Sequence, residues 1–292
     1  MRAALSRRSF ALGLAALVAP AACKQRSGPA PSGSATGAPR RVVSLAPALT
    51  DSLFAIGAGS SVVGVSDYCD YPPEATKLPR LGTSLTPNYE AIARLSPDLL
   101  VSEANAGARR KELEALAPTL LLPWLSLDDV TSSLITLGER VGKPAEAKRL
   151  SERLRARLGV PEPENGPRVL LVLGYEPGKL DEVWFVRVNS LHGAALRAAG
   201  GRNAVAAAVQ GNPRISQERV LELDPDIVLI LVAPQGQANA PRYLEDWRRL
   251  PSLSAVKNGR VRAVTAPEAF ANGPRILDLA DRLEREIREL RP

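Results

Sequence analysis

Short apolar runs alternate along this chain with segments in which apolar residues recur at helical spacing. The first run, residues 42–45, is rich in β-branched residues and predicts a strand. We expect a helix capped by Thr50 to follow it, with Gly57 supplying the positive φ at its end. The next run, Val62–Val65, predicts a second strand. Strand, helix and strand in this order form a βαβ unit, which implies a parallel sheet.

The same alternation continues to the end of the chain, and one stretch of it is repeated. Residues 88–98, NYEAIARLSPD, recur as residues 216–226, SQERVLELDPD, with Glu, Leu, Pro and Asp at matching places. Each copy predicts a capped short helix, a turn and a buried strand. We therefore expect an α/β fold of two doubly wound lobes with parallel sheets.

A single backbone helix is predicted to join the two lobes at residues 142–160. An apolar stripe runs along it from Ala147 to Leu158, and a proline-rich segment ends it. This places the N-terminal lobe at residues 40–141 and the C-terminal lobe at residues 161–292.

The chain begins with a segment that indicates export. Residues 1–23 combine the pair Arg7-Arg8, typical of a twin-arginine signal, with an apolar run too short to span a bilayer. The run ends at Cys23 in a small-small-Cys junction typical of lipoproteins, so we expect acylation there; an ordinary cleaved signal is the alternative. Residues 24–39 are rich in Gly, Ser, Pro and Ala and predict a flexible tether that holds the domain near a membrane.

Charge and cysteine content narrow the class of protein. The formal net charge is +7, and three of these charges belong to arginines of the leader, which has no acids. In the remainder the basic residues are interleaved with acids, so no clustered surface for nucleic acid is predicted. Cys23 and Cys69 are the only cysteines. If Cys23 is acylated, Cys69 has no partner and no internal disulfide forms.

Motifs of enzymes and metal sites are scarce. The sequence contains neither a phosphate loop nor a GxSxG elbow, and Gly57-Ala58-Gly59 follows a helix instead of opening one. His192 is the only histidine, and Ser190, two residues earlier, faces elsewhere on a helix. We expect no enzyme, cofactor or bound metal ion. His192 fits a helix-capping or surface histidine, with an axial ligand to a haem or corrin metal as the alternative.

Candidate binding residues lie where the first two strands end. In a parallel α/β sheet, ligands bind at the carboxyl ends of the strands. Here that edge carries Pro47 after the first strand, and the loop SDYCDYPP after the second. Asp67 and Tyr68 of this loop are candidate ligand contacts, since adjacent acids favour solvent exposure of the tyrosine.

The pattern SLAP, T, GVS, Y, DYPP within residues 41–75 resembles the periplasmic-type substrate-binding proteins with a helical backbone. These are receptors for cobalamin, haem and ferric siderophores, and the cobalamin-binding members are the most similar. The likeness continues through most of residues 40–290. It implies an exported receptor that captures a cobalamin-like ligand between two lobes and delivers it to an ABC importer, a permease dimer with its ATPase. The expected location is the periplasm or the outer face of the cytoplasmic membrane.

The resemblance also implies roles for individual residues. Tyr68, Trp184 and Phe270 match aromatic residues of the cleft. Ser84, Glu103 and Asn212 stand where the cobalamin-binding members tend to have tryptophans, which leaves a haem or siderophore ligand open. Arg187 and Arg275 offer charge to an anionic ligand, although surface salt bridges account for them equally well. An extracytoplasmic enzyme acting on a small molecule in the same cleft is the alternative from another class.

Glu90 and Glu218 are predicted to dock the receptor on its importer. Each follows a cap residue in the first turn of its repeated helix, which places one glutamate on each lobe at the cleft rim. In the resembled family, glutamates at these places face arginine pockets on the two permease subunits. Stabilisation of the helix dipole by a first-turn acid is the alternative.

Overall fold

The computed structural model of the protein describes residues 37–209, 211 and 213–291. The predicted export signal, Cys23 and residues 24–36 of the predicted tether lie outside the described residues, and so does Asn212. No helix within the described ranges is long and apolar enough to cross a membrane.

Strands and helices alternate along most of the described chain. The strands are β1 (Val42–Ser44), β2 (Val62–Val65), β3 (Leu99–Glu103), β4 (Thr119–Leu122), β5 (Arg168–Gly174), β6 (Glu182–Phe185), β7 (Arg202–Asn203), β8 (Arg214–Ser216), β9 (Ile227–Val232) and β10 (Val261–Thr265). The helices are α1 (Pro47–Ala55), α2 (Tyr89–Arg94), α3 (Arg110–Glu114), α4 (Leu127–Arg140), α5 (Pro144–Leu158), α6 (Leu191–Ala198), α7 (Gln217–Leu223), α8 (Ala240–Arg248), α9 (Ser254–Lys257) and α10 (Ile276–Leu290). Short 3₁₀ turns occupy residues 59–61, 75–77, 104–109 and 234–239.

The N-terminal sheet has the order β2-β1-β3-β4 and is parallel throughout, as predicted. Its first helix starts earlier than expected. Pro47 occupies the first turn of α1, where its fixed φ favours helix initiation, and Ala46 is the N-cap. Thr50 therefore lies inside the helix, and its hydroxyl donates to Ser44 Oγ at 2.8 Å.

The C-terminal sheet is mixed, which corrects the prediction of two parallel sheets. Its order is β10-β9-β5-β6-β8, with β7 pairing separately with β5. β6 is antiparallel to both β5 and β8. Only residues 175–181 join β5 to β6, and a link this short cannot carry the crossover that a parallel neighbour needs.

Helix α5 contacts helices of both lobes, in the place predicted for the backbone helix. It packs closely on α4, where a Cβ on Gly138 would collide with Ala147. On the other side, Arg157 pairs with Asp281 and Glu284 of α10 at 3.0 and 2.7 Å. Its buried stripe, including Leu154, joins one apolar core with side chains of both lobes, such as Leu137 and Leu171. The lobes therefore share a core across their junction.

The repeated segments adopt the same conformation. α2 and α7 are capped by Asn88 and Ser216, whose side chains accept from the backbone N–H three residues later. The turn after each helix contains a non-glycine residue with positive φ, 42° at Ser96 and 40° at Asp224. The sequence repeat therefore corresponds to a structural repeat.

Candidate ligand-binding site

A cavity of about 390 Å³ lies where the carboxyl ends of the two sheets meet. The N-terminal lobe contributes the start of α1, the loop after β2 and the end of β3. The C-terminal lobe contributes residues 233–235 after β9 and residues 267–275 after β10. Ligands of open α/β sheets bind at this edge, so this cavity is the candidate site.

Three of the predicted binding residues meet in this cavity. Pro47, Tyr68 and Phe270 line it, although they come from three separate segments, the start of α1 and two loops. Tyr68 is 71% exposed and Phe270 is 46% exposed, unusually high values for large apolar side chains. Two accessible aromatic rings on opposite lobes suit a flat, semi-polar ligand.

The other two predicted residues lie outside the cavity lining. Asp67 Oδ1 accepts from the backbone N–H of Gly82 at 3.0 Å, which ties the loop after β2 to the next segment. Trp184 pairs with Gly174 at the carboxyl end of β5, so it lies on the ligand edge of its sheet. The guanidinium of Arg214 lies 5.0 Å from its ring centroid, and the ring is 38% exposed.

A buried ion pair links the lobes at one side of the cavity. Arg275 of the C-terminal lobe lies with its Nε 3.6 Å from Asp51 Oδ2 of α1. Its guanidinium stacks over the ring of Tyr71, 3.9 Å from the centroid. The Arg275 Nε is buried and has no hydrogen-bond partner among the described residues. Burial raises the pKa of the Asp51 carboxyl, and the charge of Arg275 offsets part of that rise.

The loop that carries Phe270 is held from both lobes. Trp124 Nε1 of the N-terminal lobe donates to the carbonyl of Asn272 at 2.6 Å. His192 Nε2 lies 3.2 Å from the carbonyl oxygen of Ala269. Gly273 packs so tightly on α1 that a Cβ would lie 2.8 Å from Asp51 Oδ2. These contacts hold the backbone on both sides of Phe270.

His192 is a buried support residue in this structure. Its ring is 6% exposed and faces the loop instead of the cavity, so neither the surface position nor the axial-ligand alternative fits. Burial lowers the pKa of His192 to about 4, and hydrogen bonds to Ala269 and Asn272 oppose part of this effect. The ring is therefore neutral at pH 7.

Comparison with known proteins identifies the class to which this architecture belongs. The sequence profile of the periplasmic binding protein family matches residues 42–268. This chain belongs to that family. The resemblance inferred from the sequence is thus confirmed at the level of the family.

Individual family members give the same picture. The chain is 27% identical over 264 residues to the vitamin B12-binding protein of Pectobacterium carotovorum, an alignment that covers 87% of this chain and 90% of that protein. The crystal structure of the periplasmic vitamin B12-binding protein of Vibrio cholerae is similar, with a TM-score of 0.68, 25% identity and coverage of 86% and 98%. A periplasmic heme-binding protein from Pseudomonas aeruginosa also has a TM-score of 0.68, with 27% identity and coverage of 84% and 91%.

In this protein, Glu90 and Glu218 occupy equivalent exposed positions on the two lobes. Each belongs to the first turn of a short helix that starts at the ligand edge of its sheet. Glu90 pairs with Arg94 at 3.0 Å on the helix surface. Hydrogen bonding from Ser216 lowers the pKa of the Glu218 carboxyl. The two acids therefore share a position and differ in their immediate partners.

Several residues that line the cavity were not predicted from the sequence. Asp51 lies one helical turn after Pro47, so both face the cavity; this spacing was a usable signal. Tyr71 and Asp70 belong to the loop SDYCDYPP, in which only Asp67 and Tyr68 are predicted ligand contacts. The contact between Asp51 and Arg275 had no such signal, because 224 positions separate the two residues.

Proposed function

We propose that this periplasmic binding protein captures a cobalamin-like ligand between its lobes and delivers it to an ABC importer. The observation that carries the proposal is the cavity at the ligand edge, where Tyr68 and Phe270 present accessible rings from opposite lobes. Vitamin B12-binding relatives that cover most of this chain support it. The ligand is the part of the proposal that most needs a direct test.

A haem or ferric-siderophore receptor of the same fold is the second candidate. The similar heme-binding protein from Pseudomonas aeruginosa supports it, since its identity to this chain equals that of the Pectobacterium relative. Titration of the purified protein with cobalamin, cobinamide, haemin and a ferric siderophore decides between the candidates. Ligand absorbance and the fluorescence of the three tryptophans provide two independent signals.

The binding residues are tested by substitution at the cleft. We expect Tyr68→Ala and Trp184→Ala each to weaken ligand binding by roughly 1–3 kcal/mol while the fold survives, as is typical of buried aromatic contacts. Leu85→Ala is a matched control, because this side chain is apolar, 60% exposed and outside the cavity. Parent-like binding of all four ligands by Tyr68→Ala would place the binding site elsewhere.

An enzyme acting on a small molecule in the cleft is the rival from another class. The hydroxyl of Ser190 donates to the carbonyl of Arg187 and caps α6, whereas His192 contacts the carbonyl of Ala269. These two residues therefore serve different backbone groups and do not form a nucleophile–base pair. We propose that the protein has no catalytic activity; recovery of chemically altered ligand after incubation would contradict this.

We also propose that an acylated Cys23 anchors the protein at the outer face of the cytoplasmic membrane, with the tether as its spacer. The basis is the sequence of residues 1–39 together with membership of a periplasmic family. Mass spectrometry of the mature N-terminus should show an acylated cysteine. A mature chain that starts at another residue would overturn this part of the proposal.

A further inference from the structure

Four charged side chains line the candidate cavity, and they are unequally paired. Asp51 and Arg275 face each other at 3.6 Å, so their charges largely offset one another. The other two are carboxylates, Asp70 and Glu103. Within the described ranges, no Lys, Arg or His lies within salt-bridge distance of either one. The cavity therefore presents an excess of negative charge.

Glu103 is the better placed of these two carboxylates to act on a ligand. It is the last residue of β3, at the carboxyl end of the strand beside β1, and it is half-buried. Its one hydrogen-bond donor among the described residues is the side-chain amide of Asn105, at 3.3 Å. Burial raises the pKa of the Glu103 carboxyl. Asp70 is exposed, so solvent screens its charge more strongly.

The rest of the lining strengthens the influence of this carboxylate. Much of it is apolar and comes from prolines, alanines and aromatic rings such as Pro234, Pro267 and Phe270. A charge beside such a wall interacts more strongly than it does in bulk water. A ligand group that meets Glu103 must therefore supply hydrogen-bond donors or positive charge, because an anionic group would leave two like charges facing each other.

We propose that Glu103 makes the cleft select its ligand by charge. The cleft favours a corrinoid with neutral carboxamide side chains or a net positive charge. It disfavours tetrapyrroles and chelates that carry free carboxylates. This inference rests on the proposed function, since it specifies the ligand class of the same cleft. The carboxamide N–H groups of a corrinoid periphery would satisfy the Glu103 oxygens that Asn105 leaves free. The propionates of a haem would be repelled by them.

The test compares ligands that differ in charge but little in shape. The purified protein is titrated at pH 7.5 and fixed ionic strength with diaquacobinamide, haemin and haemin dimethyl ester, the last of which lacks only the free carboxylates. We expect cobinamide to bind most tightly and the ester to bind at least about tenfold more tightly than haemin. This is the effect of one unit charge acting across about 10 Å at an effective dielectric constant of about 20.

Glu103→Gln then isolates the carboxylate, because it removes the charge and keeps the size and one acceptor oxygen. We expect haemin to bind about tenfold more tightly and cobinamide to bind more weakly in this variant. Glu112→Gln is the matched control; it makes the same change of net charge on the exposed surface of α3, outside the cavity. Melting temperatures of both variants verify that they fold.

The outcomes separate this inference from the proposed function. Equal affinity for haemin and its ester in the parent, or the same haemin affinity in Glu103→Gln and the parent, would overturn the inference and leave the receptor proposal intact. Loss of the discrimination in Asp70→Asn but not in Glu103→Gln would also overturn it. Failure of the parent to bind any of the three ligands, cobalamin or a ferric siderophore would overturn the proposed function and the inference together.

Discussion

The two lobes contain the same helix–turn–strand unit and anchor it to the sheet by the same contacts. In the N-terminal lobe, Asp98 accepts from the backbone N–H of Arg41, and the Arg41 guanidinium donates to the carbonyl at the end of α2. In the C-terminal lobe, Asp226 and Arg168 make the corresponding contacts with each other and with the end of α7. The conserved part of the duplication is thus a scaffold at the foot of each sheet.

The lobes differ at the opposite edge of their sheets, where the residues that line the cavity lie. The N-terminal lobe presents the aromatic and acidic loop after β2 together with Glu103, whereas the C-terminal lobe presents residues 267–275 after β10. Among residues 37–209, 211 and 213–291, the N-terminal sheet has no counterpart of the antiparallel strands β6 and β8. A repeated scaffold with different edge loops lets one cavity have two chemically distinct walls. It also means that the shared unit alone does not identify the ligand.

The first prediction, with the largest expected effect, concerns ligand uptake and tests whether Glu90 and Glu218 act as a pair. We expect Glu90→Ala combined with Glu218→Ala to reduce ligand uptake by about tenfold or more, because charge-assisted pairs with a two-subunit importer would be lost from both lobes. Ligand affinity and melting temperature should barely change, since both side chains are exposed and outside the cavity.

The structure adds a ranking of the single variants. Glu90 is already paired with Arg94 and would have to leave it to meet an importer, whereas Glu218 is oriented by its own cap residue. Glu218→Ala should therefore impair uptake more than Glu90→Ala does. The double change Glu112→Gln with Glu114→Gln on α3 is a charge-matched control. Unchanged uptake in the Glu90/Glu218 double variant would leave these residues only the role of stabilising their helices.

Much of the scaffold was predictable because its signals are local. β9, Ile227–Val232, is the buried strand predicted to follow the second repeated segment, since six consecutive apolar residues between turns specify such a strand. The rule that ligands bind beyond the carboxyl ends of strands places Tyr68 at the cavity, and the family resemblance places Phe270 there. None of these predictions requires knowledge of which distant segments of the chain are in contact.

The parts that were not predictable depend on contacts between distant segments. The direction of β6 is set by its hydrogen bonds to β5 and β8, and its alternating burial is the same for either direction. The sequence favours a helix-capping or surface position for His192, with an axial ligand as the alternative, because nothing in its neighbourhood shows that residues 269–272 cover it. The pairing of Asp51 with Arg275 likewise follows from the docking of one lobe on the other.

The second prediction concerns the different supports of the two cleft loops. The N-terminal loop after β2 is held by Arg80, whose guanidinium donates to the carbonyls of Ser66 and Cys69 at 2.9 and 2.6 Å and stays charged at any relevant pH. The C-terminal loop is held by His192, which is neutral because burial lowers its pKa to about 4. Acid should therefore weaken the His192 contact and leave the Arg80 contacts unchanged.

The sign and size of the effect of acid on the free energy of unfolding follow from the difference between the folded and unfolded pKa of His192. Between the unfolded pKa of about 6.5 and the folded pKa, the unfolded chain binds more protons, so the free energy of unfolding falls as the pH decreases. The contribution of His192 is fully present above about pH 6.5 and is lost down to about pH 4, a change of about 3 kcal/mol. His192→Gln should lose that part of the acid dependence, as measured by urea unfolding from pH 7 to pH 4.

A direct measurement supports the same prediction if the variant is too unstable to study. Because His192 is the only histidine in the chain, its ring resonances can be assigned without ambiguity in an NMR titration. A midpoint near 4 is expected. A midpoint between 6 and 7 would show that the ring is solvated and that the loop does not depend on its neutral form.

The third prediction concerns a difference between the two repeated turns, which follow α2 and α7. Asp224 and Ser96 have the same strained backbone conformation, but of these two side chains only that of Asp224 makes hydrogen bonds within the part of the chain that the structure describes. Its carboxylate accepts from Ser254 N at 2.7 Å and from Ser254 Oγ at 2.6 Å, and these bonds lower its pKa. Asp224→Gly should therefore destabilise the protein by about 1–2 kcal/mol, the cost of the lost bonds less the relief of strain.

The pH dependence of this effect has a definite direction. Since the folded pKa of Asp224 is lowered, its contribution is present above the unfolded pKa and is lost as the pH falls through the folded value. The difference between Asp224→Gly and the parent, measured by urea unfolding, should therefore shrink in acid. Asp224→Asn keeps an acceptor and tolerates this backbone conformation, so it should fall between the two. A parent-like stability of Asp224→Gly would show that the contacts to Ser254 contribute nothing net.

The smallest effect is expected at the matching turn of the N-terminal lobe and has the opposite sign. Ser96 has a φ of 42°, and its side chain makes no hydrogen bond within the described ranges, so the residue bears strain without a compensating contact. Glycine adopts this conformation freely, at the cost of a more flexible unfolded chain. We expect Ser96→Gly to raise the free energy of unfolding by up to about 1 kcal/mol. Ser96→Ala is the control, because it removes the same hydroxyl and retains the strain. If Ser96→Gly destabilises the protein as Asp224→Gly does, the two turns are held by the same interactions and the contrast drawn between the lobes is wrong.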